Sequence, residues 1–334
     1  MQERVLLLQL DGKIPNLALL RIAHHHRTRG DTVTLRAAGN WPAIEPRLGE
    51  PAYDRVYGSA IFERTRPLAE HVERIWPGAI VGGTGIDPAI RLSDAGIADD
   101  GPADYSDHPQ WSASIGFTQR GCRLRCGFCV VPAKEGAVHN GRTIAEIWRG
   151  DPWPRHVLLL DNDFFGHPQW PLRVRELNDG RFRVCLTQGI NARMLNDETA
   201  AALASLDYHD DQMKVRRLYT ALDNPKDTDR FLRGLQLLKD HGVAPHRVFV
   251  YMLVGYWPNE SHADREDRLG AIRAFGAKPY PMPYRRTREL VGFQRWVIGG
   301  YDRTVPWAEW KAARYKPERL KRIDTGQQRL GYDD

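Results

Sequence analysis

Short apolar runs and helix-spaced apolar positions alternate along this chain from its first residues. Val5 to Leu10 is an apolar run that stops at Asp11-Gly12. Leu17, Leu19, Leu20 and Ile22 then recur at helical spacing as far as Gly30, so the pattern predicts a strand followed by a helix. Thr32 to Leu35 and Arg55 to Ile61 predict two more strands, Leu68 to Trp76 a helix, and Ala79 to Gly83 a fourth strand ending in Gly-Gly. Alternation of this kind implies a parallel sheet with helices on both faces. The GGTG of Gly82 to Gly85 offers a backbone approach to a phosphate, although short glycine runs are mostly turns.

Asp99 to Gln110 is rich in Asp, Pro, Gly and Ser and reads as a linker. Beyond it, strand-like runs at Ser114 to Thr118, His156 to Leu160, Phe182 to Thr187, Arg216 to Ala221, Val248 to Val254 and Lys278 to Met282 alternate with helical patterns. Helix signals sit where this requires them: Thr143 with Glu146 as a capping box, Asn196 as an N-cap, and Gly242 and Gly276 past helix ends. Six strand-helix steps predict a partial (β/α)6 barrel, with its chemistry at the carboxyl ends of the strands. The expected fold is therefore α/β: a Rossmann-like parallel-sheet domain over 1–107, the barrel over 108–283, and a basic extension over 284–334 that contains Trp and Arg.

The chain has 334 residues, enough for two domains, and its net charge of +6 is unevenly placed, since Arg285 to Asp334 hold twelve Lys or Arg against seven Asp or Glu. A basic end suits an anionic substrate or nucleic acid, and suits equally a solvated surface of mixed charge. The apolar run in MQERVLLLQLDGK is too short for a signal sequence or a membrane span. Four cysteines, three of them within eight positions, fit a reducing compartment and a metal site better than a disulfide framework. The expectation is a soluble, cytoplasmic protein that uses no membrane. His24, His25 and His26 are adjacent and point in different directions on a helix, which makes them surface histidines.

Those three cysteines, Cys122, Cys126 and Cys129, lie in GFTQRGCRLRCGFCVVPAKEG at the spacing CxxxCxxC. Thiolates favour zinc or iron-sulfur. A structural zinc site wants four closed ligands, whereas this run stops at three. On a 4Fe-4S cluster, three thiolates leave one iron open to a small molecule. Gly121, Gly127 and Pro132 predict a loop here, so helical coincidence does not account for the spacing. Cys185, alone inside the third barrel strand, reads as a small core residue.

The order CxxxCxFC, with Phe128 before the last cysteine, resembles the radical S-adenosylmethionine (SAM) enzymes. In that family the open iron binds the amino and carboxylate groups of SAM, and an electron from the cluster cleaves it to methionine and a 5'-deoxyadenosyl radical. An electron donor such as flavodoxin or ferredoxin is then an expected partner. By the same resemblance, Asp161 and Asp163 in LLLDNDFF would meet the SAM amine, and QGINAR would face SAM with Gln188, Asn191 and Arg193. Thr220 or Asp223 would meet the ribose, and Leu253, Val254 and Gly255 would offer backbone to the adenine. Tyr251 stands where the family's adenine-side motif has its first glycine.

Residues 1–107 resemble the cobalamin-binding-like domain of many family members, chiefly through the first strand and AIVGGTGID. The DxHxxG motif that supplies a histidine to cobalt is absent. Arg285 and Arg286, with Arg288 and Arg295 near Phe293, Trp296 and Trp307, either hold an anionic substrate or cover the barrel as a packed lid. Three functions follow as expectations: a radical SAM enzyme acting on a small-molecule substrate, the same core with cobalamin as a methyltransferase, and a zinc-dependent nucleic-acid-binding module. Nothing in the sequence names the substrate.

Overall fold

A computed structural model describes residues 2–314. They form two compact units, 2–188 with 206–215 and 189–205 with 216–314. The remainder of the basic 284–334 stretch lies outside the described residues.

The first unit opens with β1 (Arg4–Gln9), α1 (Leu17–Thr28), β2 (Thr32–Ala37), α2 (Trp41–Ile44), β3 (Arg55–Ser59), α3 (Arg66–Ile75) and β4 (Ile80–Gly82). The sheet order is β2-β1-β3-β4 and every pair is parallel. The strand order reverses between β1 and β3, the place where open α/β sheets leave a crevice. The unbroken apolar run of β1 has a physical cause, because both of its faces are covered. Leu6 and Leu8 pack with Leu68, Ala69 and Val72 of α3, while Val5 and Leu7 pack with Leu19, Ile22 and Ala23 of α1. Each such buried leucine contributes about 1.5–3 kcal/mol.

The same unit continues through β5 (Ser114–Gly116), β6 (Gln119–Arg120), α4 (Val131–Lys134), β7 (His139–Asn140), α5 (Ile144–Ile147), β8 (His156–Leu159), α6 (Trp170–Asp179) and β9 (Arg183–Leu186). After α7 (Asp197–Ser205) in the second unit, β10 (Asp207–Tyr208) returns to complete a parallel sheet of order β10-β9-β8-β5. The capping box of Thr143 and Glu146 starts α5, and Asn196 accepts from the Thr199 amide at the start of α7.

The second unit holds β11 (Leu218–Ala221), α8 (Thr228–Asp240), β12 (Val248–Val254), α9 (His262–Phe275), β13 (Lys278–Pro283), α10 (Arg288–Ile298) and α11 (Trp307–Arg314), with a parallel sheet of order β11-β12-β13. Burial alternates along β12: Val248, Val250, Met252 and Val254 are buried, whereas Phe249, Tyr251 and Leu253 are half-buried on the other face. The six strands expected after the linker all form, in these two parallel sheets. The architecture is α/β. No helix among the described residues is long and apolar enough to cross a membrane.

One sequence expectation needs correction. His26 is buried, not at the surface, because its Nδ1 meets Asp31 at 2.8 Å and its Nε2 meets the Tyr57 hydroxyl at 3.3 Å. Asp31, in the turn after α1, and Tyr57, on β3, cover a helix position that looks polar.

Candidate functional site

The cysteine segment leaves β5 and is clamped at its neck. β6 and β7 pair antiparallel, Gln119 against Asn140 and Arg120 against His139, so residues 121–138 form a closed excursion. Gly121 has φ +76°, and a Cβ there would lie 2.3 Å from the Ala137 carbonyl oxygen. Only glycine lets the two arms approach so closely. The Cys122 amide donates to the Gly136 carbonyl at 3.4 Å, and the Cys129 amide to that of Cys126 at 3.0 Å. No helix runs from 121 to 130, as the glycines predict, and α4 begins only after the last cysteine.

Glu135 ties this neck together. Its Oε2 accepts from the Gly121 amide at 3.1 Å and from Asn162 Nδ2 at 3.0 Å, and its Oε1 accepts from Arg120 at 3.0 Å. Loss of solvation raises the Glu135 carboxyl, but the Gly121 amide and the Arg120 charge outweigh it and leave the pKa below the usual range. Arg120 in turn lies 4.6 Å from the Phe117 ring centroid. The sequence offers only a Glu-Gly pair as a signal for this role.

Cys122, Cys126, Cys129 and Phe128 are all half-buried, and the three thiols are free of disulfides. Burial pushes the Cys122 thiol up, with Asp163 and the other two thiols adding to the effect. The Leu124 amide donates to Cys122 Sγ at 3.4 Å. Among the described residues, Glu3, His26 and Asp31 are the group whose ligand atoms all lie within 4.8 Å of one another; the three sulfurs are not drawn together in that way. A single ion requires such convergence, whereas a cluster with a thiolate on each of several irons does not. Cys185 is fully buried in β9, as expected of a core residue.

Asp161 and Asp163, at the end of β8, turn their carboxylates to the cysteine loop and its approach. Asp161 accepts from the Thr118 amide at 2.8 Å and from the Thr118 hydroxyl. Desolvation pushes its carboxyl up to about 7 in spite of those bonds. Asp163 takes Arg123 Nε at 2.7 Å, Arg123 Nη2 at 2.9 Å and the Arg123 amide at 3.2 Å. The family resemblance implies contacts to SAM, and both carboxylates have partners inside the protein as well. Gln188 is exposed at the end of this unit.

In the second unit, Arg193 bonds Asn191 Oδ1 at 3.1 Å and pairs with Asp227. The Thr220 hydroxyl is buried and donates to the Ile190 carbonyl at 2.8 Å. Loss of solvation pushes Asp223 up to about 6 against the pull of Arg193, the Leu253 amide and Arg268. Val254 is buried, and the Gly255 amide donates to Glu260 Oε2 at 2.6 Å. Glu260 also pairs with Arg268, whose Nη1 reaches the Leu253 carbonyl at 2.9 Å. That pair is invisible in sequence, where the two residues are eight apart with no motif joining them.

Arg285, Arg286, Arg288 and Arg295 are exposed, while Phe293, Trp296 and Trp307 are buried around His262. The aromatic rings are thus core, and no base-stacking surface of interleaved arginines and rings forms from them. No family model, curated protein or solved structure matches this chain.

Proposed function

We propose that this chain is a radical SAM enzyme in which Cys122, Cys126 and Cys129 hold a 4Fe-4S cluster. The observation that carries the reading is the clamped loop itself. It presents three half-buried thiols, none in a disulfide, beyond a parallel strand, anchored by carboxylates from Glu135 and from the end of the neighbouring strand. The donor set is all thiolate, which suits iron-sulfur, and the three sulfurs do not converge as a lone zinc ion demands. When bound, the cluster supplies one electron for reductive cleavage of SAM to a 5'-deoxyadenosyl radical.

The protein's own part is positional. Glu135 fixes the neck, Asp163 fixes Arg123 between the first two cysteines, and Asp161 fixes Thr118 where the loop departs. Phe128, Asp161, Asp163, Gln188, Asn191, Arg193, Thr220, Asp223, Leu253, Val254 and Gly255 remain the residues we assign to the cofactors by resemblance, and Arg285 and Arg286 those assigned to an anionic substrate. A one-electron donor of the flavodoxin or ferredoxin kind completes the reading.

A corrinoid fits less well. The cavity beyond the carboxyl ends of β3 and β4 is lined without any histidine, cysteine or methionine, so cobalt would find no axial ligand there. We route no chemistry through it.

Anaerobic purification followed by iron and sulfide analysis tests the proposal, with 5'-deoxyadenosine measured after addition of reductant and SAM. Iron, sulfide and 5'-deoxyadenosine are expected from the wild-type chain, and none from the Cys122→Ala, Cys126→Ala, Cys129→Ala triple variant. Zinc in place of iron and sulfide would overturn it in favour of the zinc module.

A further inference from the structure

A cavity of about 320 Å³ lies in the first unit, between the start of α1, the carboxyl ends of β3 and β4, and the far end of the cysteine loop. This volume suits a small molecule. Much of the wall is aliphatic or aromatic, and three of its residues are large apolar side chains left open: Ile61 at 44%, Ile80 at 39% and Ile90 at 36% exposed. Three open isoleucines around one mouth mark a surface that something apolar covers.

The polar part of the wall has an unbalanced charge. Arg21, Arg91, Arg120 and Lys134 all line the cavity. Arg120 has its counter-ion in Glu135. For Arg21, Arg91 and Lys134, no carboxylate lies within ion-pair distance among the described residues. Arg21 rests on the Gly101 and Asp99 carbonyls, and Arg91 donates to the Lys134 carbonyl. Lys134 Nζ has one hydrogen bond, to the Thr84 hydroxyl at 2.7 Å, out of three it can make. Of the three acids in the wall, Glu135 is taken by Arg120, and the other two are engaged elsewhere: Asp87 accepts from the Ala89 amide and Asp99 from the Leu92 amide. Burial and the neighbouring arginines lower the Lys134 pKa, as expected of a cation short of a partner.

The glycines of GGTG serve packing here. A Cβ on Gly83 would lie 2.2 Å from the Ala60 carbonyl oxygen, and one on Gly85 would lie 2.3 Å from the Phe62 carbonyl carbon. The anion site is therefore made of side chains.

We infer that this cavity binds a small molecule with an apolar body and one anionic group, its acid held by Lys134 and Arg91 and its body against Ile61, Ile80 and Ile90. Glu135 and Gly136 follow Lys134 directly and hold the neck of the cysteine loop, so the occupant sits against the segment that carries the thiols. That places it as the substrate. Naming it substrate rests on the function proposed above; the binding does not.

The test uses the full chain with its iron-sulfur content assayed in parallel. Two fluorescent probes are titrated, anionic 8-anilinonaphthalene-1-sulfonate and neutral N-phenyl-1-naphthylamine, at low and high salt. The anionic probe is expected to bind saturably, about tenfold more weakly in Lys134→Met and again in Arg91→Gln, with the neutral probe unmoved. Lys134→Arg keeps the affinity, and Ile80→Trp excludes both probes. Saturating anionic probe changes the rate of 5'-deoxyadenosine formation in the wild type, and at that concentration does not in Lys134→Met. Should Lys134→Met fail to fold, Arg91→Gln and the salt dependence carry the same reading.

Equal affinity of the anionic probe for wild type and charge variants overturns the site. An unchanged 5'-deoxyadenosine rate at saturation overturns the substrate assignment. Charge-dependent binding by protein without iron or sulfide upholds the cavity and overturns the proposed function alone.

Discussion

Arg123 and Asp163 meet side by side, Nε at 2.7 Å and Nη2 at 2.9 Å, and this two-pronged contact fastens the cysteine loop to the end of β8. Arg123 immediately follows Cys122, so the pair sets where the first thiol is held. Arg123 is more than one-third exposed, and screening limits the pair to about 1 kcal/mol, or roughly a fivefold shift between held and released loop. Asp163→Ala is expected to lower iron retained after reconstitution by a comparable factor, with Asp163→Asn in between. Iron content equal to wild type in both variants would show that the contact does not position the thiol.

Glu135 has a larger effect because three donors depend on it. Glu135→Ala leaves the Gly121 amide, Arg120 and Asn162 without their acceptor, at a cost of about 2 kcal/mol and roughly a thirtyfold rise in the opened population. Arg123 and Arg125 are exposed on the loop and supply the readout. Trypsin is expected to cut there much faster in Glu135→Ala, and at an intermediate rate in Glu135→Gln. An unchanged cleavage rate would remove Glu135 from its place as the clamp.

The elements were legible in the sequence wherever one residue type could do only one thing. β1 reads as a strand because five consecutive core positions leave no polar face, and the cysteine segment reads as a loop because Gly121 must take a positive φ. What stayed hidden depends on residues distant in sequence. His26 looks like one of three surface histidines until Asp31 and Tyr57 close over it. Asp161 and Asp163 look like free carboxylates at a strand end until Thr118 and Arg123, about forty residues away, take them. Phe293, Trp296 and Trp307 look like a stacking surface beside arginines until three elements pack them round His262. Polar pairing across elements leaves little trace in local pattern.

Asp161 predicts a pH dependence with a definite sign. Burial lifts its carboxyl to about 7, from 3.8 in a solvated chain. The folded chain therefore keeps a proton that the unfolded chain releases. Stability from the neutral carboxyl is complete below the unfolded value and is lost as pH rises to about 7. Asp161→Asn keeps the acceptor for the Thr118 amide and carries no charge at any pH. Urea unfolding of the metal-free chains is expected to show the variant gaining on the wild type between about pH 4 and pH 8, by at most about 4 kcal/mol. A constant difference across that range would mean the carboxyl titrates alike in both states.

The second unit has its own buried ion pair, and its removal should separate charge from packing. Glu260 and Arg268 side chains are 1% and 2% exposed. Arg268 donates to the carbonyls of Leu253 at 2.9 Å and Leu222 at 3.3 Å, and so joins the ends of β11 and β12. Glu260 also receives the Gly255 amide, in a turn where a Cβ on Gly255 would lie 2.2 Å from Leu290. Glu260→Ala strands a buried guanidinium and is expected to cost about 3–5 kcal/mol. Glu260→Gln keeps one of the two acceptor oxygens and costs less. Pairing Glu260→Met with Arg268→Leu removes both charges, and most of the loss is expected to return, because apolar replacements avoid the desolvation that the ion pair must offset. Hydrogen exchange along Val248–Val254 reads the stability of this unit directly. If the double variant exchanges as fast as Glu260→Ala, the loss comes from the shape of the turn around Gly255, and the stranded charge is not its cause.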